Sequence, residues 1–184
     1  MSWAARVIVV FACVSAAMGL AQGQTIQAAH KTESSDFYPD NWNKGFDEAE
    51  PPSDAVLDAL LKTQEAKEHW DQLKSLDRER LRKIFLVVRV HLTNFDEKDE
   101  VVLGSDPLSG ADCDWFWVVR DMGGRANVLL FVNGLELRLS RRSANGYREI
   151  VSHWGTAAVS GTQVFSYRNG RYRLVYERSH ENRP

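Results

Sequence analysis

The stretch from Asp112 to Glu177 constrains the fold of this chain more than any other. It consists of short runs that are rich in β-branched and aromatic residues, which are the residues enriched in strands. Three Asn-Gly pairs lie between these runs: Asn133-Gly134, Asn145-Gly146 and Asn169-Gly170. Asn-Gly is the dipeptide that best tolerates the positive φ angles of a two-residue hairpin turn. The stretch therefore predicts a meander of antiparallel strands.

Two of the Asn-Gly pairs predict consistent strand registers. A turn at Asn133-Gly134 would form three aliphatic pairs on one face: Val132 with Leu135, Leu130 with Leu137, and Val128 with Leu139. A turn at Asn169-Gly170 would form aromatic-rich pairs: Tyr167 with Tyr172, Phe165 with Leu174, and Gln163 with Tyr176. A slip of one residue would send each set to the opposite face, so the agreement supports both hairpins.

The middle pair, Asn145-Gly146, gives a poor register. A tight turn there would place Leu139 opposite Ser152, which sets an apolar side chain against a polar one. The sequence therefore predicts a longer turn or a bulge at this point. It predicts no register for the chain between Arg141 and Gly161.

The preceding part of the chain predicts helices followed by a strand. Ser53 is a good N-cap, Asp54 then lies in the first turn, and Ser75 or Asp77 would cap a second helix. Apolar residues recur at helical spacing: Val56, Leu57, Leu60, Leu61, Trp70 and Leu73. The period changes to two from Ile84 onward. We therefore expect one α+β domain, with one or two N-terminal helices packed on an antiparallel meander of about seven to eight strands.

The N-terminus has the three-part layout of a secretory signal. Arg6 precedes an uncharged apolar run, and small residues at Gly19 and Ala21 suit cleavage after Ala21. A membrane anchor is the alternative, but a run of about 14 residues is short for a span that needs ~20. The sequence predicts a signal peptide over residues 1–21 and a secreted or periplasmic protein with no membrane span after cleavage.

Composition divides the remaining chain into three segments. Residues 22–52 are polar and lack periodicity, which predicts a flexible leader. Aromatic side chains within it favour contact of part of this segment with the domain: Phe37, Tyr38, Trp42 and Phe46. Residues 53–178 form the predicted single α+β domain, and residues 179–184 form a polar tail.

The residue types that carry common catalytic chemistry are sparse. After cleavage Cys113 is the one remaining cysteine, and Asp112 and Asp114 beside it disfavour a reactive thiolate. It is either buried or paired between two chains. The histidines are widely spaced and no zinc-binding motif occurs, so no metal site is predicted. No cofactor motif occurs either.

The formal net charge of −2 conceals an asymmetry along the chain. From Trp115 onward there are eleven arginines and no lysines, against five acidic residues. Arginine forms planar, two-pronged hydrogen bonds with carboxylates and phosphates, so an anionic partner is one interpretation. The alternative is that the acidic helical half offsets these charges within the chain.

Aromatic residues supply the candidate binding site. Trp115 and Trp117 point to one side of a predicted strand, and Trp154 follows His153. Exposed tryptophans among arginines suit glycan or peptide binding, whereas the alternative is a sheet that packs its tryptophans against the helices. The candidate binding residues are Trp115, Trp117, Arg148, His153 and Trp154, and no catalytic residue is predicted.

Four motifs carry a resemblance: Ser109-Gly110-Ala111-Asp112, Trp115-Phe116-Trp117, Asn145-Gly146-Tyr147-Arg148 and Asn169-Gly170-Arg171-Tyr172. In these motifs and their order, the chain resembles a group of uncharacterised exported bacterial proteins. The resemblance runs from about Leu57 to Tyr176 and ends in a Gly-x-Tyr strand. It implies export and one β-rich domain, and it supplies no catalytic residues.

Together these observations predict an exported, non-enzymatic binding or inhibitory module of the cell envelope. Its expected partner is an envelope or secreted protein or a glycan, and no nucleic-acid partner is expected. A hydrolase that acts on envelope glycan or peptide is one open alternative. A structural envelope component is the other.

Overall fold

A computed structural model of the protein describes residues 35–38, 45–93, 98–108 and 113–182. The predicted signal peptide lies outside the described residues, as do residues 22–34 and 39–44 of the predicted leader, which include Trp42. The whole Ser109–Asp112 motif that contributes to the resemblance also lies outside them.

The described residues contain four helices, α1 to α4, which span Asp54–Leu60, Gln64–Glu68, Trp70–Leu73 and Arg78–Ile84. The Ser53 side chain accepts a hydrogen bond from the Val56 N–H at the start of α1. The Asp77 carboxylate does the same for the Arg80 N–H at the start of α4. Both are predicted N-caps and both are confirmed, because each satisfies a backbone donor that the helix leaves unpaired.

The described residues also contain nine strands, numbered in chain order: β1 Asp36–Phe37, β2 Phe85–Val90, β3 Lys98–Gly104, β4 Asp114–Asp121, β5 Ala126–Gly134, β6 Glu136–Ala144, β7 Tyr147–Gly155, β8 Val159–Arg168 and β9 Arg171–Glu181. They form two antiparallel sheets, with strand orders β2-β3-β4-β5 and β1-β6-β7-β8-β9. The β-rich, antiparallel character is as predicted. The prediction of a single meander is wrong, because the strands divide between two sheets.

The division occurs at Asn133-Gly134, where the predicted hairpin is wrong. β5 ends in the four-stranded sheet, with Val132 opposite Phe116, and β6 begins in the other sheet. The φ angle of Gly134 is not positive, so backbone conformation does not require glycine at this position. Close packing does, because a Cβ there would lie 2.8 Å from the His153 carbonyl oxygen. Four of the six aliphatic residues of the predicted pairs, Leu130, Val132, Leu137 and Leu139, share the core between the two sheets. Val128 packs against the other cluster, and Leu135 is 46% exposed.

The turn at Asn169-Gly170 has the predicted geometry, with φ angles of 51° and 85°. The pairs of Tyr167 with Tyr172 and Phe165 with Leu174 are confirmed. Beyond them the register shifts between Val164 and Phe165, so Tyr176 lies opposite Val164 and not opposite Gln163. The third predicted pair is therefore wrong, because a bulge adds one residue to β9.

The turn at Asn145-Gly146 combines a tight turn with a bulge. Its φ angles are 55° and 80°, as a two-residue hairpin requires. The register then shifts between Leu139 and Ser143, which brings Leu139 opposite Ile150. The predicted bulge is confirmed, and it restores the pairing of apolar residues that a regular hairpin would have lost.

The buried residues form two clusters on opposite faces of the four-stranded sheet. One cluster lies between the sheets and includes Phe116, Val118 and Ile150. The other combines residues of the four helices with Trp117 and Val119. Both faces of β4 are covered, so its central residues are all buried. This explains why the sequence of β4 is an apolar run that does not alternate with polar residues.

Parts of the segment predicted as a leader belong to the folded domain. β1 pairs with β6, and Phe37 and Phe46 are buried in contact with each other, with ring centroids 5.4 Å apart. Glu50 forms a β-bridge with Val87. At the other end, β9 continues through Glu181, inside the segment predicted as a polar tail.

Candidate functional site on the outer face of the five-stranded sheet

The face of the five-stranded sheet that points away from the four-stranded sheet is called the outer face below. Leu137, Leu139 and Ile150 point into the core, so the alternate residues of the same strands point outward. The buried residues of the described helices all belong to the cluster on the four-stranded sheet. The outer face therefore has no helix of the described chain packed on it.

Cross-strand pairing arranges the outer-face side chains in rows, since directly opposite residues point to the same side. One central row consists of Arg138, Val151, Val164 and Tyr176. The row beside it consists of Glu136, His153, Thr162 and Arg178. Tyr176 is 51% exposed. The face thus combines charged, aliphatic and aromatic groups within a flat, accessible area.

His153, a predicted binding residue, is held by neighbours on both ring nitrogens. Its Nε2 lies 2.9 Å from Nη2 of Arg138, and its Nδ1 lies 2.9 Å from Oγ1 of Thr162. A guanidinium only donates hydrogen bonds, so Nε2 must accept and Nδ1 must carry the proton. With these hydrogen-bond roles, Nδ1–H donates to the Thr162 hydroxyl, so the imidazole does not act as a base toward that hydroxyl.

Glu136 connects this histidine to β1. Its mostly buried carboxylate accepts a 2.7 Å hydrogen bond from the Tyr38 hydroxyl and lies 3.4 Å from Nε of Arg138. The other carboxylate oxygen lies 3.9 Å from Nε2 of His153. The hydrogen bond to Glu136 raises the pKa of Tyr38 to about 12. Sequence reasoning missed Tyr38 and Glu136, because they meet only through the pairing of β1 with β6.

A hollow of about 330 Å³ opens beside this group, between β1 and the bulge of β6. Its lining includes Arg138, Arg141 and Asp36. Nε of Arg138 lies 3.6 Å from Asp36, so this arginine is already balanced by two carboxylates. The hollow is partly open to solvent, and polar and apolar groups line it about equally.

Arg148, a second predicted binding residue, supports the bulge of β6. Its Nε donates to the Ser140 carbonyl at 3.0 Å and its Nη2 donates to the Leu139 carbonyl at 2.8 Å. The Tyr172 hydroxyl donates to the Arg148 carbonyl at 2.8 Å, and burial raises the pKa of that hydroxyl. Arg148 therefore fixes the strand geometry with hydrogen bonds to its own sheet.

The three predicted tryptophans do not join His153. Trp117 is fully buried against the helices, and half-buried Trp115 packs beside it and against His69, with ring centroids 5.8 and 4.7 Å away. Trp154 follows His153 along β7 and points to the opposite face. There its ring covers Gly161, where a Cβ would lie 2.6 Å from the indole. The structure thus separates the five predicted residues into three environments.

A second polar group is buried between the sheets. Asp99 is 0% exposed and receives two hydrogen bonds from Arg120, of 2.8 and 3.2 Å. Arg120 also donates to the Tyr147 hydroxyl at 2.7 Å, and the Tyr147 ring stacks on Tyr167. Burial alone would lower the pKa of Arg120, but the bonds to Asp99 and Tyr147 raise it. This group joins the two sheets.

Arg173 and Arg178 are exposed members of the outer face that sequence reasoning did not single out. They lie opposite Ser166 and Thr162, on either side of Tyr176. None of the ion pairs between described residues involves either arginine. The bulge in β9 decides which face they occupy, and the sequence pattern carried no signal for that bulge.

Metal and thiol chemistry have little support among these residues. Within the described ranges, no three His, Cys, Asp or Glu side chains are grouped so that they would hold a metal ion. Cys113 is half-buried, and its Sγ lies 3.8 Å from the Gly155 carbonyl oxygen.

No helix among the described residues has the length and apolarity needed to cross a membrane.

Comparisons with other proteins add no functional assignment. No protein-family model, no curated protein and no solved structure matches this chain.

Proposed function

We propose that this protein is an exported, non-enzymatic binding module that recognises an anionic partner with the outer face of its five-stranded sheet. The partner is an acidic protein segment or an acidic glycan of the cell envelope or its surroundings. The proposal rests on one observation: an open sheet face that presents Arg173 and Arg178 without ion-pair partners among the described residues, beside exposed Tyr176.

The chemistry of these side chains favours anionic ligands. Guanidinium groups form bidentate hydrogen bonds with carboxylates, and exposed tyrosine supplies a rigid apolar surface with a polar tip. Arg173 and Arg178 lie opposite Ser166 and Thr162, which are four residues apart on β8, so at ~3.3 Å per residue the two arginines lie roughly 13 Å apart along the sheet. That spacing suits a ligand with repeated negative charges better than a single small anion.

The group around His153 supports binding over hydrolysis. A hydrolase needs a base within reach of a nucleophile, or two carboxylates on either side of a cleft. Here Nε2 of His153 already accepts from Arg138, and Glu136 already accepts from Tyr38. These groups satisfy one another, so they hold the sheet face in one arrangement. The hydrolase alternative from the sequence gains no support from them.

Export remains part of the proposal on the strength of the N-terminal sequence. One basic residue, an uncharged apolar run and small residues before Gln22 are the parts of a secretory signal. Detection of the protein in a periplasmic or culture fraction, with Gln22 as its first residue, would support this. A cytoplasmic protein that retains Met1 would contradict it.

The binding proposal is tested with the mature chain and three soluble polymers: polyglutamate, polygalacturonate and neutral dextran. We expect at least one acidic polymer to bind in calorimetry and dextran not to bind, and we expect added salt to weaken the binding. The double variant Arg173→Gln/Arg178→Gln should bind at least about tenfold more weakly, since it loses two charge-assisted contacts.

Arg89→Gln is the matched control, because this exposed arginine lies on the other sheet, in β2. It should bind as the wild type does. Failure of both acidic polymers, or equal binding by the double variant and the wild type, would overturn the proposed site.

A further inference from the structure

The structure points to the form that the anionic partner takes. We infer that it is an extended acidic polypeptide segment that adds as a new strand to the free edge of β9. This inference rests on the proposed function and specifies its ligand.

β9 is an edge strand of the five-stranded sheet. Its first residues, Arg171 to Arg173, line a hollow together with residues of β5 and α2, so the length of edge available to a new strand begins after Arg173. β9 extends from Arg171 to Glu181, and among the described residues it pairs with β8 alone. In an antiparallel sheet, alternate residues of an edge strand turn their N–H and C=O groups away from the neighbouring strand. Such a row of donors and acceptors is a template for a further strand.

Apolar exposure is concentrated on this edge. Leu174, Val175 and Tyr176 are consecutive and are 48%, 41% and 51% exposed. The other large apolar side chains exposed in the described chain are Met122 and Leu135, which lie apart from each other in sequence. An added strand would cover the three neighbouring side chains of β9 and remove their apolar surface from water.

The charges of the edge differ between its two sides. Arg173 and Arg178 are on the outer face, whereas Glu177 lies opposite Gln163 and accepts a 2.8 Å hydrogen bond from it. Residues an odd number of positions apart normally point to opposite faces of a strand. The bulge in β9 changes that alternation, and it thereby brings both arginines to the same face.

This pattern selects an acidic strand and rejects a second copy of the chain. Consider two copies of β9 paired antiparallel, with their apolar residues in contact and their outer faces on the same side. In that register Arg173 of one copy lies opposite Arg178 of the other. Like charges that are directly opposite destabilise a strand pair. Exposed charge and bulges are also common protections of edge strands. An acidic segment instead pairs with both arginines.

The test compares two peptides on the mature protein. The first alternates glutamate and valine, and the second has the same sequence with every backbone nitrogen methylated, so that charge is kept and strand hydrogen bonding is lost. We expect the first peptide to bind at least about tenfold more tightly. We also expect its binding to slow amide hydrogen exchange in β9 more than in β2, the edge strand of the other sheet.

Four other outcomes would be decisive in different ways. Equal binding of both peptides, or binding without protection of β9, would overturn strand addition and leave the anionic-binding proposal intact. Binding of polygalacturonate without binding of either peptide would do the same. If no acidic polymer and no peptide binds, the proposed function fails and this inference fails with it.

Discussion

At the scale of single residues, the ionisable groups divide into those that hold the fold and those that are presented to solvent. Asp99 and Arg120 form a buried pair between the sheets, with side chains 0% and 13% exposed. Arg173 and Arg178 have no comparable partners among the described residues. The first pair is linked to the other sheet through the Tyr147 hydroxyl, and the second pair is exposed to solvent.

Replacement of Asp99 by alanine should be strongly destabilising. It leaves the Arg120 cation largely buried without this counter-charge, which should lower the free energy of unfolding by about 3–5 kcal/mol. Urea denaturation followed by circular dichroism measures the change. The control is Glu50→Ala, whose carboxylate lies 3.8 Å from Arg89 in a pair that is 73% exposed on both sides. It should cost less than about 1 kcal/mol. Equal losses would contradict the role given to Asp99.

The hydrogen bond between Tyr38 and Glu136 should make stability depend on pH in the alkaline range. The pKa of Tyr38 rises from 10.0 to about 12 in the folded protein. The protonated hydroxyl is therefore favoured by folding, and its contribution is fully present below pH 10. That contribution is lost as the pH rises through 12, because the phenolate no longer donates to Glu136.

Tyr38→Phe tests this pH dependence. The free energies of unfolding of wild type and variant should differ below pH 10 and should converge by about pH 12. Ultraviolet absorbance should also show one tyrosine fewer that ionises near pH 12. A difference that stayed constant across this range would rule out the hydrogen bond as its source.

At the scale of elements, β6 and β9 depart from regular strands in ways that have structural consequences. The bulge in β6 restores apolar pairing of Leu139 with Ile150, and the bulge in β9 sets the face on which its arginines lie. The β6 bulge needs donors for its carbonyl groups, and the Arg148 guanidinium supplies two of them. Both bulges therefore have structural roles and are not irregularities without consequence.

Arg148→Ala should weaken the sheet around this bulge. The carbonyl groups of Leu139 and Ser140 would lose charged donors, and we expect a loss of about 1.5–3 kcal/mol in the free energy of unfolding. The same variant should speed amide exchange in β6 and β7. Arg141→Ala is the control, because Arg141 lies exposed in the same bulge. An Arg148→Ala protein as stable as this control would show that the two hydrogen bonds contribute little.

At the scale of the whole molecule, the four-stranded sheet is shared between two apolar clusters. Alternate residues of β4 enter different clusters, with Phe116 on the side of the other sheet and Trp117 on the side of the helices. Loss of either cluster exposes one face of the same sheet. The helices and both sheets should therefore unfold together.

Leu57→Ala and Ile150→Ala test this coupling, because these buried residues belong to different clusters. Each should lower the free energy of unfolding by about 2–5 kcal/mol and keep a single transition. Circular dichroism and tryptophan fluorescence should give the same midpoint. Leu174→Ala, at a 48% exposed position, should change stability little. Separate transitions in the Leu57→Ala protein would show that the helical layer unfolds independently.

Local signals predicted local structure well, but they did not show which side chains meet across the sheet. Ser53 and Asp77 cap helices as expected, and two Asn-Gly pairs form tight turns. His153 was predicted as a binding residue, but the Glu136 carboxylate beside it and the Tyr38 hydroxyl that bonds Glu136 come from parts of the chain that are distant in sequence. Residue types and spacings report on neighbours along the chain, so they do not reveal contacts made through strand order.

The sequence by itself determined the helix starts, the two tight turns and the richness in antiparallel strands, because each depends on the backbone preferences of a few adjacent residues. Only the tertiary structure decided that Asn133-Gly134 connects two sheets. A strand with alternating apolar residues can bury its apolar face equally well next to its partner in one sheet or opposite that partner in a second, facing sheet. Tertiary structure also decided that the arginines of β9 share an open face, since that depends on a bulge defined by its pairing with β8.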